Sequence, residues 1–287
     1  MKKRVARLLA VVLAGAMVMG LAACGQEGGT SGTGGSSTAD NASDSDISIG
    51  IVVKTATNAH FQDIAYGAVL AGKDLGVEVK VDNTATESDV EGQITKCENM
   101  ISSGVDALIL TANDSDGVAN AVNAAHDAGI PFVTVDTEIT NVWGDEVSEY
   151  MPNYIGVDHT QMAYELAKNV FDQLGGEGQV VILRGVDAAS SSQERTAGFE
   201  KAIEEYDGIE LAESQSASYD QDTAATTMAD IVQAHPDVDA VLCCNDLMAA
   251  GAVSALKEND IEVGADGVLV AGIDGNYIAL LSIANGE

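Results

Sequence analysis

The sequence predicts an α/β fold of two doubly wound parallel-sheet lobes joined by a hinge. Three observations carry that prediction. Nine short apolar runs alternate with longer segments of helical period, one long acidic loop divides the series, and polar residues collect where the runs end. Strand–helix alternation sets parallel strands side by side with helices on both faces.

The chain opens with MKKRVAR, the apolar stretch LLAVVLAGAMVMGLAA and Cys24. A basic start before an apolar segment too short for a comfortable bilayer span reads as an export signal over residues 1–23, not as a transmembrane anchor. The ending LAAC resembles the lipobox of bacterial lipoproteins. That resemblance implies that Cys24 becomes the acylated first residue of the mature protein and holds it to the membrane. Residues 24–46 are rich in Gly, Ser, Thr and Asp and lack apolar period. They read as a flexible tether with a reach of roughly 25 Å.

Folded structure is expected from Ile47. The first lobe, residues 47–155, carries the runs ISIGIVVKT, VEVKVDN, ALIL and PFVTVD and closes on YIGVD, which runs across the boundary. Between the first two, Phe61, Ile64, Ala65, Ala68, Ala71 and Leu75 share one helical face. The loop TEITNVWGDEVSEYMPN carries Trp143, the only tryptophan, which either reaches over the cleft as a lid or packs on its own lobe. The second lobe, residues 156–287, opens with the helix TQMAYELAKNVFDQLGG, whose Met162, Ala163, Leu166, Val170 and Leu174 share a face. The runs QVVILRG, IELAESQSA, AVLCCND and VLVAGID follow.

Two such lobes leave a cleft, and ligands of open α/β sheets sit beyond the C-terminal ends of the strands. The ends here read KTATNAHF, VDT, VDH, CCND and GID, and each delivers a hydrogen-bonding side chain. Asn and Asp are also common helix caps, so any single position has that second explanation. Five ends facing one cleft are harder to assign to capping alone.

Composition excludes several functions. The formal charge is -32, and four of the basic residues lie in the first ten, so the body repels phosphate backbones and nucleic acid is not an expected partner. No nucleophile elbow, phosphate loop, dinucleotide fingerprint or paired-histidine metal motif occurs in the sequence, so no cofactor, no metal and no catalytic residue are expected. His126 and His235 read as surface or cap residues. Cys97, Cys243 and Cys244 are an odd number in an exported body, without metal-ligand spacing. The adjacent pair in AVLCCND points to opposite faces of a strand, so both read as small buried hydrophobes. A cleft with carboxylates, Asn, Arg and aromatic faces suits binding, without turnover, of a neutral, hydroxyl-rich ligand.

From Ile47 to the C-terminus the residues resemble the periplasmic binding protein type 1 family, specifically its ribose-binding-protein-like sugar ABC transporter members. The carriers are IGIVVKTATNAHFQDIAYGA, ANDSDGVANAVNAAHDAGIPFVTVD, QERTAGFEKAI, AHPDVDAVLCCNDLMAAGAV and VLVAGIDG. The resemblance implies ligand contacts from Asn58, His60 and Phe61, from Asp136 and Thr137, and from Arg195, Tyr219, Asn245 and Asp274. It has departures. Ala59 replaces a proline, His60 replaces a hydrocarbon ring, and Thr137 stands where ribose binders carry a second arginine. Arg184 either restores that donor or makes a surface ion pair. The chain also stops at LLSIANGE, where the family continues back to the first lobe. A C-terminally truncated record is the expectation, with an edge or apolar face of the first lobe uncovered.

The resemblance implies an extracytoplasmic, lipid-anchored, monomeric binding protein that closes on a monosaccharide or polyol and docks on ABC permease subunits. A sugar sensor presenting its ligand to a chemoreceptor or histidine kinase is the alternative. A repressor effector domain is opposed by the export signal, and an enzyme ranks last.

Overall fold

The structure, a computed structural model, describes residues 47–139 and 153–287; the export segment, Cys24, the tether and the Trp143 loop lie outside them. Two parallel sheets organise the described chain. The first joins β1 (Ser48–Thr55), β2 (Glu78–Thr84), β3 (Ala107–Leu110), β4 (Phe132–Val135) and β5 (Asn153–Ile155) in the order β2-β1-β3-β4-β5. The second joins β6 (Glu177–Arg184), β7 (Gly208–Ser216), β8 (Ala240–Cys243) and β9 (Leu269–Ala271) in the order β7-β6-β8-β9. The second order repeats the first, with β6 in the place of β1. Each sheet therefore reverses its winding beside its first strand, where doubly wound sheets open a crevice.

Helices α1 (Ala59–Leu75), α2 (Val90–Ser102) and α3 (Ala119–Asp127) cover the first sheet. The second carries α4 (His159–Gln173), α5 (Ser190–Ile203), α6 (Gln221–Ala234) and α7 (Asp246–Glu258), with α8 (Tyr277–Ala284) following β9. Strands buried on both faces read as unbroken apolar runs, and β8 is buried at all four positions. Its Cys243 and the next residue, Cys244, are fully buried, and burial pushes both thiols up, which suits inert packing groups.

The helical faces read from sequence hold only in part. On α1, Phe61 is buried and Ile64, Ala65 and Ala68 pack on the sheet, but Ala71 and Leu75 are exposed. The face turns instead to Gly72, where an added Cβ would collide with Val79. On α4 the buried line runs through Ala163, Ala167, Val170 and Phe171, with Met162, Leu166 and Leu174 on its margins. Exposed apolar side chains gather along α1 (Val69, Leu70), at the β5 edge (Ile155) and on α8 (Ile278, Leu280, Leu281, Ile283).

Two glycines set the helix spacing of the second lobe. A Cβ on Gly198 of α5 would overlap the carbonyl oxygen of Thr160 on α4, and one on Gly251 of α7 would overlap that of Gln221 on α6. The same close approach thus recurs in both helix pairs. Gly198→Ala and Gly251→Ala are each expected to lower stability by about 1–3 kcal/mol despite alanine's better helix propensity. Urea unfolding measures it, and an unchanged midpoint would refute the close-packing account.

Candidate functional site

The C-terminal ends of both sheets face one another, and polar side chains from nearly every strand end meet there. From the first sheet come Lys54 near the end of β1, Asn58, His60 and Phe61 at the start of α1, Glu87 after β2 and Asp136 after β4. The second contributes Ser191 and Arg195 on α5, Tyr219 after β7, Asn245 after β8 and Asp274 after β9. These line one cavity. It is narrow, about 10 Å³, so anything larger than a water molecule enters only when the lobes or these side chains move apart.

Local chemistry fixes each group. Asn58 caps α1, its Oδ1 accepting from the His60 amide at 3.0 Å, while its Nδ2 donates to Glu87 Oε1 at 3.0 Å. Asn245 caps α7 in the same way, accepting from the Met248 amide at 2.9 Å. Its Nδ2, by contrast, is buried with no hydrogen-bond partner. Backbone strain concentrates here as well: Asp136, Tyr219 and Asp274 have φ of 69°, 60° and 123°. Such conformations cost about 1–3 kcal/mol each in non-glycine residues and persist where the surroundings impose them.

Asp136 is the centre of the network. His60 Nε2 lies 3.1 Å from one carboxylate oxygen; Thr137 Oγ1 donates to the other at 2.9 Å, and Lys54 Nζ is 3.6 Å from it. Burial opposes ionisation, but the His60 hydrogen bond and the charges of Lys54 and Arg195 outweigh it and hold the group well below the usual carboxylate range. The Asp136 carbonyl accepts from Tyr154 Oη at 3.0 Å and bonds His159 Nε2 at 2.8 Å. Arg195 Nε donates to His159 Nδ1 at 3.2 Å, so the proton of His159 sits on Nε2. Burial and the Arg195 charge lower its pKa and keep it neutral. Arg195 Nη1 also donates to the Cys244 carbonyl at 2.6 Å and lies 3.7 Å from Asp274.

All the site residues named from sequence line the cavity except Thr137. Its hydroxyl is spent on Asp136 and lies 3.3 Å from Ser191 Oγ, so it braces the lobe contact instead of facing a ligand. Arg184 does not replace the missing arginine: it pairs with Asp187 at 3.0 Å and donates to the Ser214 carbonyl. His126 and His235 lie on α3 and at the C-cap of α6. Lys54, Glu87, Ser191 and His159 were missed as site residues. A lysine closing an apolar run in so acidic a chain was the available signal for the first; Glu87 and Ser191 sit in polar stretches that carry none. A second, larger groove of about 450 Å³ shares His60, Asp136, Arg195 and Asp274 and adds His159, but its other walls are mainly apolar, among them Ile64, Ile155, Val157, Met162 and Leu166. The hydrogen-bonding groups of the cleft are concentrated in the polar cavity.

A closed, charge-balanced, polar cleft between two doubly wound lobes defines a solute-binding protein of the hinged, two-lobe class. The chain belongs to the periplasmic binding protein domain family, whose model matches residues 49–287. It is similar to the ribose import binding protein of Bacillus subtilis, 32% identical over 238 residues that make up 83% of this chain and 73% of the relative. Among solved structures it resembles an ABC transporter periplasmic solute binding protein from Actinobacillus succinogenes with bound D-allose. That match has 32% identity and a TM-score of 0.76, covering 84% of this chain and 82% of the other. An ABC transporter solute binding protein from Bacillus halodurans with bound myo-inositol matches at 26% identity and a TM-score of 0.71, covering 87% and 82%.

The buried acids generate a pH prediction. Burial pushes Glu87 from 4.5 up to about 7 against the Lys54 charge and the Asn58 hydrogen bond, and it pushes Asp274 from 3.8 to about 6. Across these windows the folded state binds more protons than the unfolded chain, so stability falls as pH rises. His60 acts in the same direction. Burial lowers its pKa, but the Asp136 hydrogen bond and nearby carboxylates raise it overall, so its contribution is full below 6.5 and lost as pH climbs through the folded value. Asp136 acts oppositely, stabilising above 3.8 and losing that contribution as pH falls. The melting temperature is therefore expected to decline between pH 4.5 and about 7, less steeply in Glu87→Gln. Equal slopes in the two proteins would rule out Glu87 as a source.

Proposed function

We propose that the protein captures a monosaccharide or similar polyol in the cleft between its lobes, outside the cytoplasmic membrane, and hands it to the permease of an ABC importer. The observation that carries the reading is the Asn245 amide: a buried donor without a partner, held rigidly by its own capping bond and facing a cavity rich in acceptors and donors. Leaving such a donor unpaired is costly, and a ligand hydroxyl satisfies it. Carboxylates of Asp136 and Asp274 accept from hydroxyls, Arg195 donates to them, and Phe61 and Tyr219 offer faces to the C–H side of a ring.

The groups are divided between the lobes, so one ligand satisfies them together only in the closed arrangement, and closure follows from that difference in contacts. Cations and carboxylates nearly cancel in the cleft, which favours a neutral ligand over a charged one. The relatives' names favour import over presentation to a sensor: a ribose import binding protein and a D-apiose import binding protein are both about 30% identical. Family membership and this chemistry support binding without turnover, by a monomer. The N-terminal sequence supports export, cleavage before Cys24 and acylation of that residue, with residues 24–46 as the tether.

Calorimetry with D-ribose, D-allose, D-arabinose, xylitol and myo-inositol is expected to find at least one tight ligand. Asn245→Ala and Asp136→Ala should weaken it about 10- to 100-fold, and changes within about twofold would refute the site. Fractionation tests the anchor. Cys24→Ser should move the protein from the membrane to the soluble fraction, and unchanged membrane retention would refute acylation there.

A further inference from the structure

Arg195 is buried where α5 meets the cleft, and its guanidinium is planar, so two fixed points on the group set both its plane and its rotation within that plane. One point is Nη1, which donates to the Cys244 carbonyl at 2.6 Å. That bond alone leaves the fork free to pivot. The second point is Nε, whose acceptor is His159 Nδ1 at 3.2 Å. The donors left over belong to a group that lines the polar cavity, with Nη1 also 3.7 Å from Asp274.

His159 is itself clamped. It is 1% exposed at the start of α4, and its Nε2 donates to the Asp136 carbonyl at 2.8 Å, beside the Tyr154 hydroxyl that bonds the same oxygen. The neutral ring therefore has one lone pair, on Nδ1, and Arg195 takes it. The ring lines the larger groove but not the polar cavity, so its route to a cavity occupant runs through Arg195 and the Asp136 backbone.

Protonation would abolish the lone pair and set two cations 3.2 Å apart. Burial, the Arg195 charge from α5 and the Lys54 charge from β1 oppose it, against the carbonyl and carboxylate of Asp136, and the pKa falls below 6.5. His60 on α1, Asp274 after β9 and Tyr154 on β5 are the other titratable groups around the ring. The lone pair is thus present at neutral pH and lost in acid.

From this placement we infer that His159 is a positioning residue for ligand binding: its Nδ1 lone pair fixes the plane of the Arg195 guanidinium against the ligand, and acid releases that hold. The inference rests on the sugar-binding reading above.

Two substitutions divide the ring into its halves. His159→Asn keeps an acceptor near the Nδ1 position but does not reach Asp136, whereas His159→Gln keeps a donor near Nε2 and lacks the Nδ1 acceptor. Calorimetry at about pH 8 on the full chain, with the panel sugar of highest affinity, is expected to find His159→Asn within about threefold of the wild type and His159→Gln weakened about 10-fold. A ring that merely braces the Asp136 carbonyl gives the reverse order, and one that merely fills space gives equal losses. Either result overturns the inference. As the pH falls from about 8 to about 5, the wild type should lose affinity relative to either variant, because neither amide protonates while His60, Glu87 and Asp274 titrate in all three proteins. A constant ratio also overturns it, and this second measurement needs only whichever variant folds. Should the wild type bind no panel member, the sugar-binding reading falls and this inference with it. If it binds one and the order or the ratio fails, only the role of His159 is overturned.

Discussion

The charge on Asp136 is the constraint on which the rest of the cleft depends. A carboxylate this deeply buried is unfavourable unless cations and donors surround it, and the chain supplies them from three separate elements: Lys54 on β1, His60 on α1 and Arg195 on α5. The last of these belongs to the second lobe. The backbone carbonyl of the same residue takes Tyr154 on β5 and His159 at the start of α4, the stretch along which the chain passes from one sheet to the other. One residue in a left-handed conformation therefore fixes the floor of the site, the tautomer of His159 and, through it, the direction of the Arg195 guanidinium.

That arrangement also explains how a chain of charge -32 presents a nearly neutral cleft. Its acidic side chains are spread over a solvated surface, where repulsion is screened. Within the cleft, three carboxylates face Lys54, Arg195 and a histidine whose pKa is raised, and burial moves Glu87 and Asp274 toward neutrality. The balance is thus adjustable by protons near neutral pH. A neutral ligand enters without disturbing it, whereas a charged one leaves an uncompensated ion in a medium that screens poorly.

Much of this was legible in the sequence for identifiable reasons. The strands could be read because burial on both faces turns each into an unbroken apolar run, as in ALIL and AVLC. The cavity-lining ends could be read because each run stops at a polar residue, as at Asp136, Asn245 and Asp274. Helix faces drifted where a backbone approaches too closely for a side chain, as at Gly72, since periodicity marks apolar residues and glycine is silent in it. Thr137 misled because its place beside Asp136 says nothing of where its hydroxyl is spent. Lys54 and Glu87 escaped notice because their pairing joins β1 to the loop after β2, a contact that only the parallel register creates.

Closure has a component that owes nothing to the ligand. The start of α5 reaches across to the first lobe: the Ser190 amide donates to Ser115 Oγ at 2.8 Å, the Glu138 amide to Ser190 Oγ at 3.0 Å and the Ser115 amide to the Ala188 carbonyl at 3.0 Å. Each is modest in net terms, about 1 kcal/mol, because water competes for the same groups when the lobes part. Together they favour the closed form, so a ligand has to supply less of the difference between the two. The Asn245 amide, buried without a partner, works against closure in an unliganded cleft, because water reaches it when the lobes part. Serine contacts that favour closure, set against a buried amide left short of a partner, leave the balance between parted and closed lobes to whatever fills the cleft.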